Sequence, residues 1–346
     1  MRMEVELAEN SPLGKAGQRV TLSLTPTDVQ ITTEIPTYLA GYRPGGFRAE
    51  QASPEALVDK SVGSYRSFNS DDAFVPSVVK GSLQGAITEV DPNSSTANFA
   101  VVERYIGSFM PTQTMAEATY DLRATAGRKC RNKLDLDLEI DVLGSGGLLC
   151  TASNWNAEVR TAIAGGSEWD VSGNPIEDLQ IADEKSYQQV TDIWMNKHVG
   201  NAFLRHEEVK SHMRQMLGDS QADRSAQSIN RAGVDVDIDL VIPGLPVIHI
   251  CAAKKKSGPG GTMGYIMPNV VVLTSRFPGI PTTGQEIQTC LTFRRRGDAG
   301  VGWETREFFI DGRGPKGGTM LVTYVGDVPV MTSNVSGGII TNVVAA

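Results

Sequence analysis

The chain has 346 residues, 40% of them hydrophobic, with 36 Gly and 17 Pro, which is enough for about two domains and a sizeable core. Only 21% of residues are charged, and 32 Lys and Arg against 40 Asp and Glu leave a formal charge of −8. That balance excludes a disordered polyelectrolyte and argues against a dedicated nucleic-acid binder, because proteins that grip phosphate backbones carry a basic excess.

The opening MRMEVELAEN has no apolar stretch of the kind a secretory signal needs, so none is expected. The longest mainly apolar run, Val241 to Ala253, is broken by Pro243 and Pro246 and falls short of the ~20 residues of a spanning helix. Cys130, Cys150, Cys251 and Cys290 are widely spread and form no CxxC pair. They read as reduced, buried thiols of a protein made in a cytoplasm.

In chain order, the first 60 or so residues are rich in Thr, Pro and Gly, and Pro26, Pro36, Pro44 and Pro54 punctuate them. Such a segment reads as an extended arm that cannot offset its own chain entropy and must lie on something. From about Ser61 to Arg104 the pattern predicts a long two-stranded excursion, with arms near Ala73 to Val79 and Asn98 to Val102 around the turn-like Asp91-Pro92-Asn93-Ser94. Gly63, Gly81, Gly85 and Gly107 are its candidate hinges. Thr114 and Glu117 form a capping box for a helix over 115–133, with Met115, Ala118, Leu122 and Ala126 spaced by three or four. The next run, Leu134 to Val142, alternates with period 2, so on pattern alone it is a strand.

Asn174-Pro175-Ile176-Glu177-Asp178 supplies an N-cap, a first-turn proline and two acids at a helix start. Val190 to Met195 reads as a short strand, and Val199, Phe203, Val209, Met213, Met216 and Leu217 lie at helical spacing after it. A second alternating run, Val234 to Leu240, is followed by a Lys254 to Gly261 surface loop and the apolar run Val270 to Leu273. Strands are predicted over 305–310, 320–325, 328–331 and 339–344. The class is α+β.

No conventional chemistry emerges. His206 and His212 are six residues apart, about 240° around a helix, whereas a helical zinc site needs i and i+4. Gly312-Arg313-Gly314-Pro315-Lys316-Gly317 matches GxGxxG, but strand-forming residues follow it, so it reads as a hairpin turn. The Lys254 to Gly261 loop has the wrong order for a phosphate-binding loop, and Arg294-Arg295-Arg296 reads as a solvated face. Asp135, Asp137, Glu139 and Asp141 lack the spacing of a calcium loop. No catalytic residue, cofactor or metal is therefore assigned, and an enzyme is not expected.

The order of the pieces is more informative. Glu89-Val90-Asp91-Pro92 followed by Val101-Val102-Glu103-Arg104-Tyr105, within Tyr65 to about Thr119, resembles the hairpin loop and spine helix of the major capsid proteins of tailed bacteriophages, the Hong Kong 97 fold. Trp169-Asp170 with Asn174-Pro175-Ile176-Glu177-Asp178-Leu179 resembles that family's axial-domain signature. Ala202 to Val209 resembles the helix after its short strand, with Glu207 where the family often has proline.

The resemblance implies a Hong Kong 97-like capsid fold: an N-terminal arm (1–61), an extended hairpin loop (62–104), a peripheral domain with its spine helix (105–143), an axial domain (144–285), and peripheral strands with a C-terminal return (286–346). It also implies that the spine helix runs on toward Val142, against the alternation, and both readings stand at this point. The function implied is self-assembly into hexamers and pentamers of an icosahedral shell enclosing double-stranded DNA, without sequence-specific binding and with no membrane. The partners would be the chain itself, with scaffolding, portal and decoration proteins, in a phage head assembled in the host cytoplasm. Tyr65, Phe68, Phe74 and Val75 are the expected intersubunit contacts. An encapsulin-type nanocompartment shell is the alternative, with an unrecognised enzyme behind it.

Overall fold

A computed structural model describes residues 2–6, 19–23, 29–30, 46–67, 95–119, 121–217, 238–242, 244–258, 260–276, 288–297, 302–311 and 317–345. The chain divides into two units, one of Met1–Arg43, Glu103–Leu134 and Arg296–Val325, the other of Pro44–Val102, Asp135–Arg295 and Gly326–Ala346. Helix Leu122–Leu143 and strand Gly318–Met331 contribute residues to both.

In the first unit, strand Trp303–Ile310 pairs antiparallel with the first part of Gly318–Met331, from Trp303 opposite Val325 to Ile310 opposite Gly318. The strands on either side of the Gly312 to Gly317 motif are thus paired with each other, while residues 312–316 themselves lie outside the described residues. Strand Val102–Pro111 also pairs with Gly318–Met331. Small apolar clusters seal this unit: Met110, Ala126 and Leu321 in one, Leu134, Trp303 and Val325 in the other. The Arg131 guanidinium lies 3.7 Å from the centre of the Trp303 ring. Within the predicted arm, Arg2–Glu6 pairs with Arg19–Ser23, and Val29–Gln30 pairs with Phe308 and Glu307.

The long helix departs from expectation at both ends. Residues 112–117 form a separate short helix that ends at Ala118, where ψ is 132°. Asp121 then starts the long one, its carboxylate accepting from Arg123 N at 2.9 Å and Ala124 N at 3.1 Å. At the far end the alternating Leu134 to Val142 run is helix, not strand. Its alternation contains a second period, because Leu134, Leu138 and Val142 are four apart and share one buried helix face.

The second unit is built on a six-stranded sheet ordered Ile238–Leu240, Val247–Cys251, Asp192–Asn196, Val271–Thr274, Gly337–Thr341 and Arg160–Ala162. Asp192–Asn196 runs parallel to Val247–Cys251 and antiparallel to Val271–Thr274. Successive residues of a strand point to opposite faces, and here both faces are covered. Ile193, Met195, Ile248, Val271 and Leu273 join one apolar cluster with Leu179, Val199, Phe203 and Met213 of the helices. Trp194, Val272 and Ile339 join the other with Leu138, Val142 and Trp155.

Helix Pro175–Lys185 has the predicted cap, Asn174 accepting from Glu177 N at 3.3 Å. The predicted helix after the short strand is two helices, Lys197–Arg205 and Glu207–Leu217, separated where His206 leaves helical backbone at ψ 136°. The Lys254 to Gly261 segment is not simply a loop. Lys254–Lys256 pairs with Met263–Tyr265, and the Lys254 ammonium sits 5.0 Å from the Tyr265 ring centre. All four cysteines are buried and none is in a disulfide, and burial pushes the Cys290 thiol up to about 12.

Candidate functional site

The features that could carry function lie in the second unit, around residues 46–67 and 95–100. Val62–Ser67 and Ser95–Ala100 form an antiparallel ribbon with Gly63 opposite Phe99 and Tyr65 opposite Ala97. Period-2 geometry divides it into two faces. Phe99 and Tyr65 face inward onto Phe293, with ring centres 4.3 and 5.6 Å from it, while Val62, Ser64, Thr96, Asn98 and Ala100 are exposed. The expected first arm at Ala73 to Val79 lies outside the described residues, as do Phe68, Phe74 and Val75. Tyr65 is the one expected contact residue the structure describes. Its ring packs on Phe293 of its own chain, and its hydroxyl donates to the Met331 carbonyl at 3.4 Å. Burial raises its pKa.

Two expected hinges have a different job. A Cβ at Gly63 would lie 2.7 Å from the Phe99 ring, and one at Gly107 would lie 2.6 Å from Met320 Cε. These are close-packing positions. Gly63→Ala must displace a ring already stacked on Phe293. The expected cost is about 1–3 kcal/mol, the range for overpacking, read as a lower urea midpoint at unchanged slope.

Residues 46–58, which lead into the ribbon, are fastened by two charge networks. The first surrounds Arg294, whose side chain is only 1% exposed and lies within 2.7 Å of Glu55, 3.2 Å of Glu50 and 3.7 Å of Asp327. The solvated-face reading of the Arg294 to Arg296 run is therefore corrected: Arg295 and Arg296 are exposed, but Arg294 is core. Burial alone would disfavour its charge, but Glu55, Glu50 and Asp327 outweigh that.

The second network crosses the sheet. His249 Nδ1 is 2.7 Å from Asp239 and Nε2 is 2.8 Å from Asp192, with the imidazole stacked on Trp194 at 4.1 Å. Arg48 Nη2 pairs with Asp239 at 3.0 Å, and Arg276 Nη2 with Asp192 at 3.1 Å. Arg48 also donates to the Gln51 side chain, and Arg276 donates to the Gln51 carbonyl at 3.3 Å. These bonds close a ring through Arg48, Asp239, His249, Asp192, Arg276 and Gln51. Glu139, 1% exposed, accepts from the backbone N–H groups of Arg48 and Ala49 at 2.8 and 2.6 Å.

Burial would raise the Asp192 carboxyl. Hydrogen bonds from His249 and Thr191 and the charges of Arg276 and His249 outweigh it and hold the group below the ordinary carboxylate range. Asp239 is lowered in the same way, against burial, by His249 and Arg48.

Sequence reading missed both networks. Arg294 was hidden in a basic run, and His249 has no neighbouring metal-ligand pattern. The legible part was the alternation ending at Leu240, which puts Asp239 on one face of a strand. Among the described residues no cluster of His, Cys, Asp and Glu is arranged to hold a metal ion. No helix among them is long and apolar enough to cross a membrane.

No protein-family model matches the chain, and no curated protein does. Solved structures do. A phage-related protein from Bordetella bronchiseptica RB50 superposes with a TM-score of 0.64 at 13% identity, over 92% of this chain and 99% of that one. A putative prophage capsid protein from E. coli CFT073 gives 0.53 at 11% identity, over 90% and 99%. The capsid structure of the cyanophage P-SCSP1u gives 0.52 at 11%, over 97% and 96%. Likeness over nine-tenths of the length at such low identity is a likeness of fold, and the chain has the Hong Kong 97-type fold of phage capsid proteins.

Proposed function

We propose that this chain is the major capsid protein of a tailed phage. It assembles into hexamers and pentamers of an icosahedral head shell around double-stranded DNA. The observation that carries this reading is the fold likeness spanning nearly the full length of both this chain and the phage-related and capsid proteins it matches. In this reading the chain is structural, works without cofactor or metal, and is located in the virion head after assembly in the host cytoplasm.

The division into arm (1–61), hairpin (62–104), peripheral spine (105–143), axial domain (144–285) and C-terminal strands (286–346) belongs to the same proposal. So do partnerships with scaffolding, portal and decoration proteins. A two-stranded ribbon with one face exposed has too little core of its own, and large obligate interfaces supply what such a segment lacks. Tyr65, Phe68, Phe74 and Val75 are the contact residues proposed, Tyr65 by whatever surface its packing on Phe293 leaves free. The net charge of −8 suits a container that need not grip its genome.

Electron microscopy of the purified chain at high concentration tests this. Closed shells, or rings of five and six, are the expected result, and Phe74→Asp is expected to abolish them while leaving a folded chain by circular dichroism. Monomers under all conditions, with scaffold supplied, would sink the reading. Shells that form in the phage host and hold a protein cargo but no DNA would make it a nanocompartment shell.

A further inference from the structure

We infer that His249 is a charge-dependent latch that holds residues 46–52, and through them the root of the hairpin ribbon, against the sheet of the second unit. The geometry carries the inference. Both imidazole nitrogens lie at hydrogen-bond distance from a carboxylate, 2.7 Å to Asp239 and 2.8 Å to Asp192. A neutral imidazole has one N–H and one lone pair, so it can donate to only one of them, and the other carboxylate then faces a lone pair. Only imidazolium satisfies both.

Charge counting agrees. Among the described residues, the site gathers Asp192 and His249 on adjacent strands, Asp239 on the edge strand, Arg276 after strand Val271–Thr274, Arg48 on the fastened segment and Glu139 from the long helix. With His249 protonated, three cations meet three carboxylates. With it neutral, the cluster is one positive charge short, in a site where His249 and Asp192 side chains are 7% and 3% exposed.

The two ends of the imidazole are not equivalent. Asp192 is buried and also held by Arg276 and Thr191, whereas the Asp239 side chain is 48% exposed and can turn to water. Loss of the proton therefore breaks the Asp239 contact first. Asp239 is the partner of Arg48, and Arg48 leads directly into helix Ala49–Ala52, which strand Glu55–Val58 connects to the ribbon. The signal thus passes from ring nitrogen to carboxylate to guanidinium to the segment itself. With His249 charged, its hydrogen bonds and charge help hold both aspartate carboxyls below the ordinary range.

Hydrogen–deuterium exchange with mass spectrometry, corrected for intrinsic rates, tests the latch between about pH 5 and about pH 8, the range over which imidazole charge changes in general. Peptides covering 46–58 are compared with helix Pro175–Lys185 as internal reference. In the wild type, protection of 46–52 should fall by about ten- to a hundredfold with rising pH, the scale of one charge-assisted hydrogen bond, while the reference holds.

Two variants should flatten the profile in opposite directions. His249→Gln places one NH2 group and one acceptor oxygen there, so one carboxylate faces an acceptor and the segment should be open at every pH. Asp239→Asn can donate to a neutral Nδ1 while Nε2–H still meets Asp192, so it should stay closed. A merely structural histidine would not give that pair. A wild-type profile that does not change with pH overturns the inference, as does an Asp239→Asn profile that keeps the wild-type midpoint. If His249→Gln does not fold, the other two profiles decide. Exchange is read whether or not shells form, so its failure is distinct from failure of the assembly reading.

Discussion

Replacing Arg294 by Met is expected to lower stability by about 3–5 kcal/mol, the cost of leaving buried charge without its partner. The cost comes from what stays behind. Asp327 is 1% exposed, directly opposite Arg294 in the strand register. Glu50 and Glu55, 28% and 32% exposed, can recover some hydration, but Asp327 cannot. Met fills most of the arginine's volume, so little of the loss is a cavity effect.

The measurement is thermal and urea unfolding, with a midpoint shift on the order of 10 °C. Asp327→Asn in the Arg294→Met background should return a large part of the loss, because it removes the stranded charge. Arg294→Lys should fall between, since a single ammonium cannot replace a planar fork that addresses three carboxylates. If Arg294→Met unfolds like the wild type, the cluster contributes nothing to stability and residues 46–58 are held by other contacts.

Arg294 also shows where sequence reading stops. Three arginines in a row carry no local sign that one is core, because its ionic partners Glu50 and Glu55 lie 244 and 239 positions away. His249 is the same kind of case: its partners depend on strand order, which places Val247–Cys251 between Ile238–Leu240 and Asp192–Asn196. What was legible was local. Asn174-Pro175 with two following acids describes a helix start by itself, and the structure has that cap.

The run Leu134 to Val142 was ambiguous for a physical reason. A period of two contains a period of four, and four residues advance a helix by close to one turn. Pattern alone could not choose, and the resemblance to capsid proteins, which implied helix, agreed with the structure. The fold class was thus accessible from the order of the pieces. The polar networks that hold residues 46–58 were not, since each joins residues brought together only by tertiary structure.

The ribbon and the six-stranded sheet that holds Gly337–Thr341 meet different mechanical demands. Val62–Ser67 and Ser95–Ala100 have one packed face and a few ring contacts, so small changes there are expected to be partly absorbed. The sheet has two packed faces and backbone neighbours on both edges of its inner strands. Tolerance should therefore fall sharply from the ribbon to the sheet, and glycines make that testable, because adding one methyl probes the space at one point.

Gly337→Ala is the severe case. Gly337 has φ of +124°, a region alanine rarely adopts. A Cβ there would lie 2.2 Å from the Leu273 carbonyl oxygen and 3.2 Å from the Trp155 ring. Leu273 cannot retreat, since Val271–Thr274 is paired with Asp192–Asn196 on one edge and Gly337–Thr341 on the other. Relief requires moving the glycine strand, which would pull Ile339 and Ile340 out of the two clusters they anchor. Backbone strain and overpacking each cost about 1–3 kcal/mol, and both act here, so the expected loss is about 3–5 kcal/mol with a fall in soluble yield. Gly165→Ala is the control, with nothing within 4 Å and no left-handed backbone, and should stay within about 0.5 kcal/mol of the wild type. Urea unfolding of the two variants side by side decides it. Equal midpoints would mean that the central sheet can shift to admit a methyl group, and that the packing of Gly337 against Leu273 does not hold this strand in place.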